Sequence, residues 1–66
     1  DNKILSILSS KDNACLLNVN GGKHWVVLIG YSKIGGLKIA DPYYGDTCFL
    51  RMRYKDIAGF AEVSRK

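Results

Sequence analysis

The amino-acid sequence predicts a single α+β domain, in which one N-terminal helix is followed by an antiparallel β meander. Apolar residues recur at helical spacing in the first ten positions, and short apolar or alternating runs follow them. Clusters of Gly, Pro, Asn and Ser separate these runs, as is typical of turns. With 66 residues and no internal repeat, the chain has room for one domain at most.

The first element is the helix. Ile4, Leu5, Ile7 and Leu8 follow the i, i+1, i+3, i+4 spacing of a helix that buries one face. The polar residues 9–13 end it, because such clusters favour turns.

Three strands are predicted next. Residues 14–19 form a short strand that is closed by an Asn-Gly-Gly turn. Residues 24–31 are continuously apolar and rich in β-branched and aromatic side chains, so we expect a central strand covered on both faces. Residues 37–41 alternate and form its partner, which ends at Pro42 because proline has no N–H for the ladder.

The last quarter of the chain predicts a further strand and a helical turn. Residues 47–53 alternate, with Cys48, Leu50 and Met52 on one face. Residues 54–58 predict one or two helical turns that stop at Gly59. A last short strand is expected over residues 60–63.

Composition and charge exclude several classes of function. The net charge is +4, but no nucleic-acid-binding motif accompanies the basic tail, which indicates a solvated basic edge and no nucleic-acid partner. The longest apolar run, residues 25–29, is far shorter than the ~20 residues of a membrane span. Cys15 and Cys48 do not form a CxxC metal pair, and no cofactor motif is present. Two buried thiols are expected, with one bridge between neighbouring strands as the alternative.

His24 and Asp41 are the candidate catalytic residues. His24 is the single histidine and opens the central strand, whereas Asp41 closes the next one. A hairpin brings these two strand ends together, and a carboxylate that holds an imidazole is the general-base half of a Cys-His-Asp device. The alternative is that His24 only begins a strand and Asp41 only caps the turn.

The hairpin register decides whether the two side chains meet. Direct pairing of His24 with Asp41 requires a turn centred between residues 32 and 33. A two-residue turn at residues 35–36 is an equally good hairpin signal. It would separate the pair by about 20 Å along the sheet, at about 3.4 Å per residue. The sequence leaves both registers open.

Two segments of the chain, with their order and spacing, also resemble a known family of enzymes. The string GKHWVVLIGY over residues 22–31, followed by IADP over residues 39–42 and an aromatic-Gly turn, resembles the His and Asp blocks of C39-like (bacteriocin-processing) peptidases of the papain type. Residues 54–57 are similar to the small helix that usually follows. The resemblance covers nearly the whole chain. It implies that residues 1–66 are a single partial domain, the C-terminal half of a papain-like fold, with His24 and Asp41 as catalytic residues and a peptide as substrate.

The chain departs from that family at the nucleophile. In the family a Cys opens a helix well upstream of the His, and a Gln precedes it, whereas this chain has no Gln and Cys15 lies within a predicted strand. The resemblance therefore implies that an N-terminal segment or a second chain carries the nucleophilic Cys, and that this chain alone is inactive. A degenerate module that binds a peptide or partner, and a structural domain of a larger phage or secreted protein, are the alternatives.

Two aromatic residues are weaker candidates for substrate contact. Trp25 adjoins His24, and Tyr43 follows Pro42 at the same rim; a core Trp and an ordinary turn are the alternatives. A short helix covers only one face of the central strand. We therefore expect Trp25 and its neighbours to need a partner segment or a second copy of the chain, which makes a homo-oligomer one possibility.

Overall fold

The computed structural model describes residues 2–64 and has the predicted α+β architecture. One helix, α1 (Asn2–Ser9), precedes five strands, and a short 3₁₀ helix (Leu50–Met52) lies between the last two. The strands are β1 (Asn13–Val19), β2 (His24–Ser32), β3 (Gly36–Asp41), β4 (Asp46–Phe49) and β5 (Ile57–Ser64).

The five strands form one antiparallel sheet in the order β4-β3-β2-β1-β5. Strands β1 to β4 are the predicted meander, in which each strand pairs with the next one along the chain. Strand β5 returns to the far edge and pairs with β1 over its whole length. The chain therefore passes from one edge of the sheet to the other between β4 and β5.

The hydrophobic core lies between α1 and one face of the sheet. The helix contributes Ile4 and Ile7, which are 5% and 4% exposed. The sheet contributes side chains from its three central strands: Cys15, Leu17, Val19, Val26, Leu28 and Ile39. Full burial of one such aliphatic side chain contributes about 1.5–3 kcal/mol, so this layer is the main source of the fold's stability.

The other face of the sheet is open in the part of the chain that the structure describes. Trp25 and Ile29 of β2 are each 44% exposed, although β2 is central in the sheet. The expectation that β2 is covered on both faces is therefore wrong for residues 2–64. The reason is geometric, because α1 is only eight residues long and packs on one face.

The β2–β3 hairpin adopts neither of the two registers considered. Ser32 pairs with Gly36, which leaves a three-residue loop over residues 33–35, and the Ser32 hydroxyl accepts the N–H groups of Ile34 and Gly35. Gly36 has φ +83°, a conformation that favours glycine. A β-bulge at Ile29 then shifts the register by one residue for the rest of the hairpin.

After Phe49, the predicted continuation of the strand to residue 53 and the helical turn over residues 54–58 are wrong, whereas the last short strand over residues 60–63 is confirmed as part of β5. Strand β4 ends at Phe49, the chain turns through the 3₁₀ helix, and Met52 is 76% exposed instead of facing the core with Cys48. Residues 54–58 make no helical turn, because β5 already begins at Ile57 and pairs with β1. The ladder to β1 overrides the weak local preference for a helix.

Candidate functional site

His24 and Asp41 meet at one end of the sheet, as the sequence predicted. Residue pairing between Val27 and Ala40, continued by one position, places Asp41 across from Val26 and two residues from His24. Such diagonal neighbours on one sheet face are within reach of long side chains. The His24 Nε2 and Asp41 Oδ1 atoms are 2.8 Å apart. The predicted contact is thus present, but through a diagonal and not through direct pairing.

The Asp41 carboxylate is fully buried and has four hydrogen-bond donors. Its side chain is 0% exposed. Oδ1 accepts from His24 Nε2 and from the backbone N–H of Tyr43, at 2.8 and 3.0 Å. Oδ2 accepts from the Tyr54 hydroxyl at 2.5 Å and from Arg53 Nη1 at 3.3 Å. Burial alone would raise the pKa of Asp41, but the hydrogen bonds outweigh it and lower the pKa to about 2.

The His24 ring is held with one defined nitrogen toward the carboxylate. An ionised carboxylate only accepts hydrogen bonds, so Nε2 carries the proton and Nδ1 has the free lone pair when the ring is neutral. The side chain is 22% exposed, and the rings of Tyr43 and Tyr54 each lie 6.0 Å from the imidazole, centroid to centroid. Among the described residues, Asp41 is the hydrogen-bond partner of this ring. Nδ1 is therefore the atom available to accept a proton.

Arg53 links the buried carboxylate to the surface. Its two terminal nitrogens bind both oxygens of Asp46, at 2.8 and 3.0 Å, and its guanidinium lies 3.9 Å from the ring centroid of Tyr44. The hydrogen bonds to Asp46 raise the pKa of Arg53 above its ordinary value, and the same bonds lower the pKa of Asp46. Asp46, the first residue of β4, thus holds the arginine in place beside Asp41.

A cleft of about 540 Å³ opens over the imidazole. It is lined by the histidine, three tyrosines, two cationic side chains and an amide: His24, Tyr43, Tyr44, Tyr54, Lys23, Arg53 and Asn20. Burial, and then the hydrogen bond to Asp41, raise the pKa of Tyr54 to about 12, so its hydroxyl stays protonated at neutral pH. The cleft therefore presents aromatic surface and positive charge to any bound molecule.

Two contributors to this site, Arg53 and Tyr54, were missed in the sequence. They were placed in the predicted strand and helical turn after Phe49. A signal was available, since a carboxylate next to a buried strand requires donors and the adjacent Arg53 and Tyr54 both carry donor groups. The distance of twelve or more residues along the chain hid that connection.

The structure separates the two weaker candidates. Tyr43 lines the cleft, is 77% exposed and touches the imidazole edge-on. Trp25 pairs with Asn18 and points to the open face, because successive side chains in a strand alternate between faces. It is not among the residues that line the cleft.

Neither cysteine lies beside the imidazole as a bonded partner. Cys15 is 1% exposed in β1, and one step beyond the Leu16–Val27 pair it faces Leu28, four residues along β2 from His24. Burial, with a further contribution from the charge of Glu62, raises the pKa of the Cys15 thiol, the opposite of what a nucleophile requires. Cys48 is half-buried against the core, and both thiols are free.

No family model, curated protein or solved structure matches this chain. Within residues 2–64 no three His, Cys, Asp or Glu side chains are grouped so that they could hold a metal ion. No helix in the same range is long and apolar enough to cross a membrane.

Proposed function

We propose that this chain supplies the general-base half of a C39-like cysteine peptidase of the papain type. In this proposal His24 takes the proton of a cysteine thiol, and Asp41 orients the ring and stabilises the imidazolium that forms. The observation that carries the proposal is the 2.8 Å bond between His24 Nε2 and a fully buried, fourfold hydrogen-bonded carboxylate.

The hydrogen-bond pattern gives each atom of the pair one role. Because Asp41 stays ionised, it only accepts, and the proton on Nε2 is directed at it. Nδ1 then abstracts the thiol proton and later returns it to the leaving amine. Asp41 does more than cap its turn, because three side chains donate to it in addition to the backbone N–H of Tyr43.

The proposal requires a thiol that neither Cys15 nor Cys48 provides. The thiolate must approach Nδ1 to within hydrogen-bond distance, about 3–3.5 Å for the reacting atoms, and the partly exposed ring at the cleft leaves room for it. We propose that an N-terminal segment or a second chain brings this cysteine. The open sheet face around Trp25 and Ile29 is a surface on which such a segment could pack.

A peptide is the substrate that fits the cleft best. Tyrosine rings pack against side chains and main chain alike, and Lys23 adds a cationic group, whereas the charge of Arg53 is paired with Asp46 and Asp41. The backbone of the substrate would lie across Tyr43, whose exposed ring is next to the imidazole.

The test measures peptide hydrolysis by the protein purified from its natural host, together with any chain that is bound to it. We expect hydrolysis that a thiol reagent blocks and that falls on the order of 10³-fold or more in His24→Ala and in Asp41→Asn. Lys33→Ala, in the exposed β2–β3 loop, is the control and should keep full activity. Hydrolysis that survives in both site variants would contradict the proposal.

A non-catalytic peptide-binding module is the second candidate. It is favoured by the burial of Cys15 and by the absence of a thiol bonded to His24 among the described residues. Such a module would bind peptides in the cleft, lose affinity in Tyr43→Ala, and show no cleavage of the bound peptide under any condition. Calorimetric titration combined with mass analysis of the recovered peptide distinguishes the two candidates.

A further inference from the structure

Tyr54 holds the oxygen of Asp41 that His24 does not use. Its hydroxyl donates to Oδ2 at 2.5 Å, and its ring packs against the core and tilts 45° to the imidazole. Hydrogen bonds to an ionised acceptor are about twice as strong as neutral ones. The hydroxyl therefore anchors the carboxylate at the end remote from the histidine.

Arg53 is the second donor to the same oxygen, but it is a shared one. Its distance to Asp41 Oδ2 is 3.3 Å, whereas its distances to the two oxygens of Asp46 are 2.8 and 3.0 Å. The guanidinium thus binds mainly to Asp46. Tyr54 has the shorter bond and, among the described residues, no other hydrogen-bond acceptor for its hydroxyl, so it is the dedicated anchor of Asp41.

We propose that Tyr54 is a positioning residue, which keeps Asp41 Oδ1 directed at His24 Nε2 and thereby holds the imidazole in the tautomer whose Nδ1 is unprotonated. The torsion that rotates a carboxylate is soft. The backbone N–H of Tyr43 holds Oδ1 at 3.0 Å, and the Tyr54 hydroxyl fixes the other oxygen, so the two bonds together limit the rotation. The use of this tautomer as a base depends on the proposed peptidase function. The tautomer itself is a property of the folded chain.

The consequence of losing the hydroxyl follows from the contacts. Without the Tyr54 hydroxyl the carboxylate would keep the Tyr43 N–H bond at Oδ1, but at Oδ2 it would keep only the long contact to Arg53, so its orientation toward Nε2 would be less fixed. The imidazole would then populate both tautomers. The raised pKa of Tyr54, about 12, supports the proposal because the hydroxyl remains a donor at neutral and moderately alkaline pH.

Nitrogen NMR of the chain with ¹⁵N-labelled histidine tests this directly, since His24 is the single histidine and each ring nitrogen gives one resonance. Above the titration of the ring, we expect a protonated Nε2 and an unprotonated Nδ1 in the wild type. In Tyr54→Phe, which keeps the packed ring, the tautomer ratio should shift roughly two- to fivefold, up to the value of one net hydrogen bond. Tyr44→Phe removes a cleft hydroxyl that does not bind Asp41 and should leave the ratio unchanged.

Two results of this comparison between the wild type and Tyr54→Phe overturn the proposal. One is a mixture of tautomers in the wild type, and the other is a Tyr54→Phe chain with the wild-type ratio and a native amide spectrum. If Tyr54→Phe does not fold, uniform labelling with 3-fluorotyrosine provides a second variant that keeps both ring and hydroxyl. The more acidic phenol should shift the His24 Nε2 resonance, and an unshifted resonance also overturns the proposal. A tautomer that responds as expected in a protein without hydrolytic activity would refute the peptidase proposal alone.

Discussion

Replacing Asp41 with asparagine should remove the part of this fold's acid sensitivity that comes from the Asp41 carboxylate. The Asp41 carboxylate has a pKa of about 2 in the folded chain, against an ordinary value of 3.8. Because the folded pKa is the lower one, ionised Asp41 stabilises the fold above the unfolded pKa, and this stability is lost as the pH falls toward and through 2. The pKa is lowered on folding because the carboxylate has hydrogen-bond donors in the folded chain that it lacks in the unfolded one.

The magnitude follows from the two pKa values. Each tenfold change in an ionisation constant corresponds to about 1.4 kcal/mol, so the difference between 3.8 and about 2 contributes about 2.5 kcal/mol at neutral pH. About 2 kcal/mol of this is lost between pH 6 and pH 2. A 66-residue domain has a total unfolding free energy of roughly 3–10 kcal/mol, so the loss is a large fraction of it.

Urea unfolding between pH 6 and pH 2, followed by Trp25 fluorescence, is the assay. We expect wild type and Asp41→Asn to differ most at pH 6 and to converge by about 2 kcal/mol as the pH falls to 2. Asp56→Asn removes an exposed carboxylate that does not contact Asp41, and it should keep the wild-type acid dependence. An Asp41→Asn chain that loses stability with acid as steeply as the wild type would refute the reasoning.

Three further predictions concern the core and the cysteines. Leu17→Ala, at a position with no exposed surface, should lose about 2–5 kcal/mol in the same urea assay, and a loss below about 1 kcal/mol would contradict its place in the core. Gly35→Ala brings a Cβ to 2.5 Å from the Phe49 ring, so we expect a loss of about 1–3 kcal/mol, relieved when Phe49→Leu is added; a double variant as unstable as the single one would contradict this. In thiol labelling of the native chain Cys48 should react first, and Cys15 only through unfolding, because it is 1% exposed; rapid labelling of native Cys15 would contradict its burial.

The elements with local signals could be predicted from the sequence. The helix follows from the apolar spacing that starts at Ile4, and the strand from His24 follows from a run of β-branched residues. The approach of His24 and Asp41 toward one end of the sheet was also a prediction, because consecutive strand ends meet in a hairpin, but their contact depended on the register. The register of that hairpin could not be predicted, since the bulge at Ile29 leaves no mark on the alternation of side chains.

The remainder depends on contacts between distant parts of the chain. A short strand was expected over residues 60–63, but its full length, residues 57–64, depends on the free edge that β1 offers. The roles of Arg53 and Tyr54 depend on the same return of the chain past Asp41. The open face of the sheet could be anticipated in outline, since a single short helix cannot cover both faces of the strand that contains Trp25.

The central claim is that His24 is a base for a thiol. The most direct test is alkylation of the cysteines of the protein purified from its natural host, together with any chain that is bound to it. A cysteine paired with a histidine forms a thiolate at low pH and reacts rapidly. We predict one rapidly alkylated cysteine, other than Cys15 and Cys48, whose rate at mildly acidic pH falls to that of an ordinary thiol in His24→Ala. If no cysteine of that assembly depends on His24 for its reactivity, the claim is contradicted.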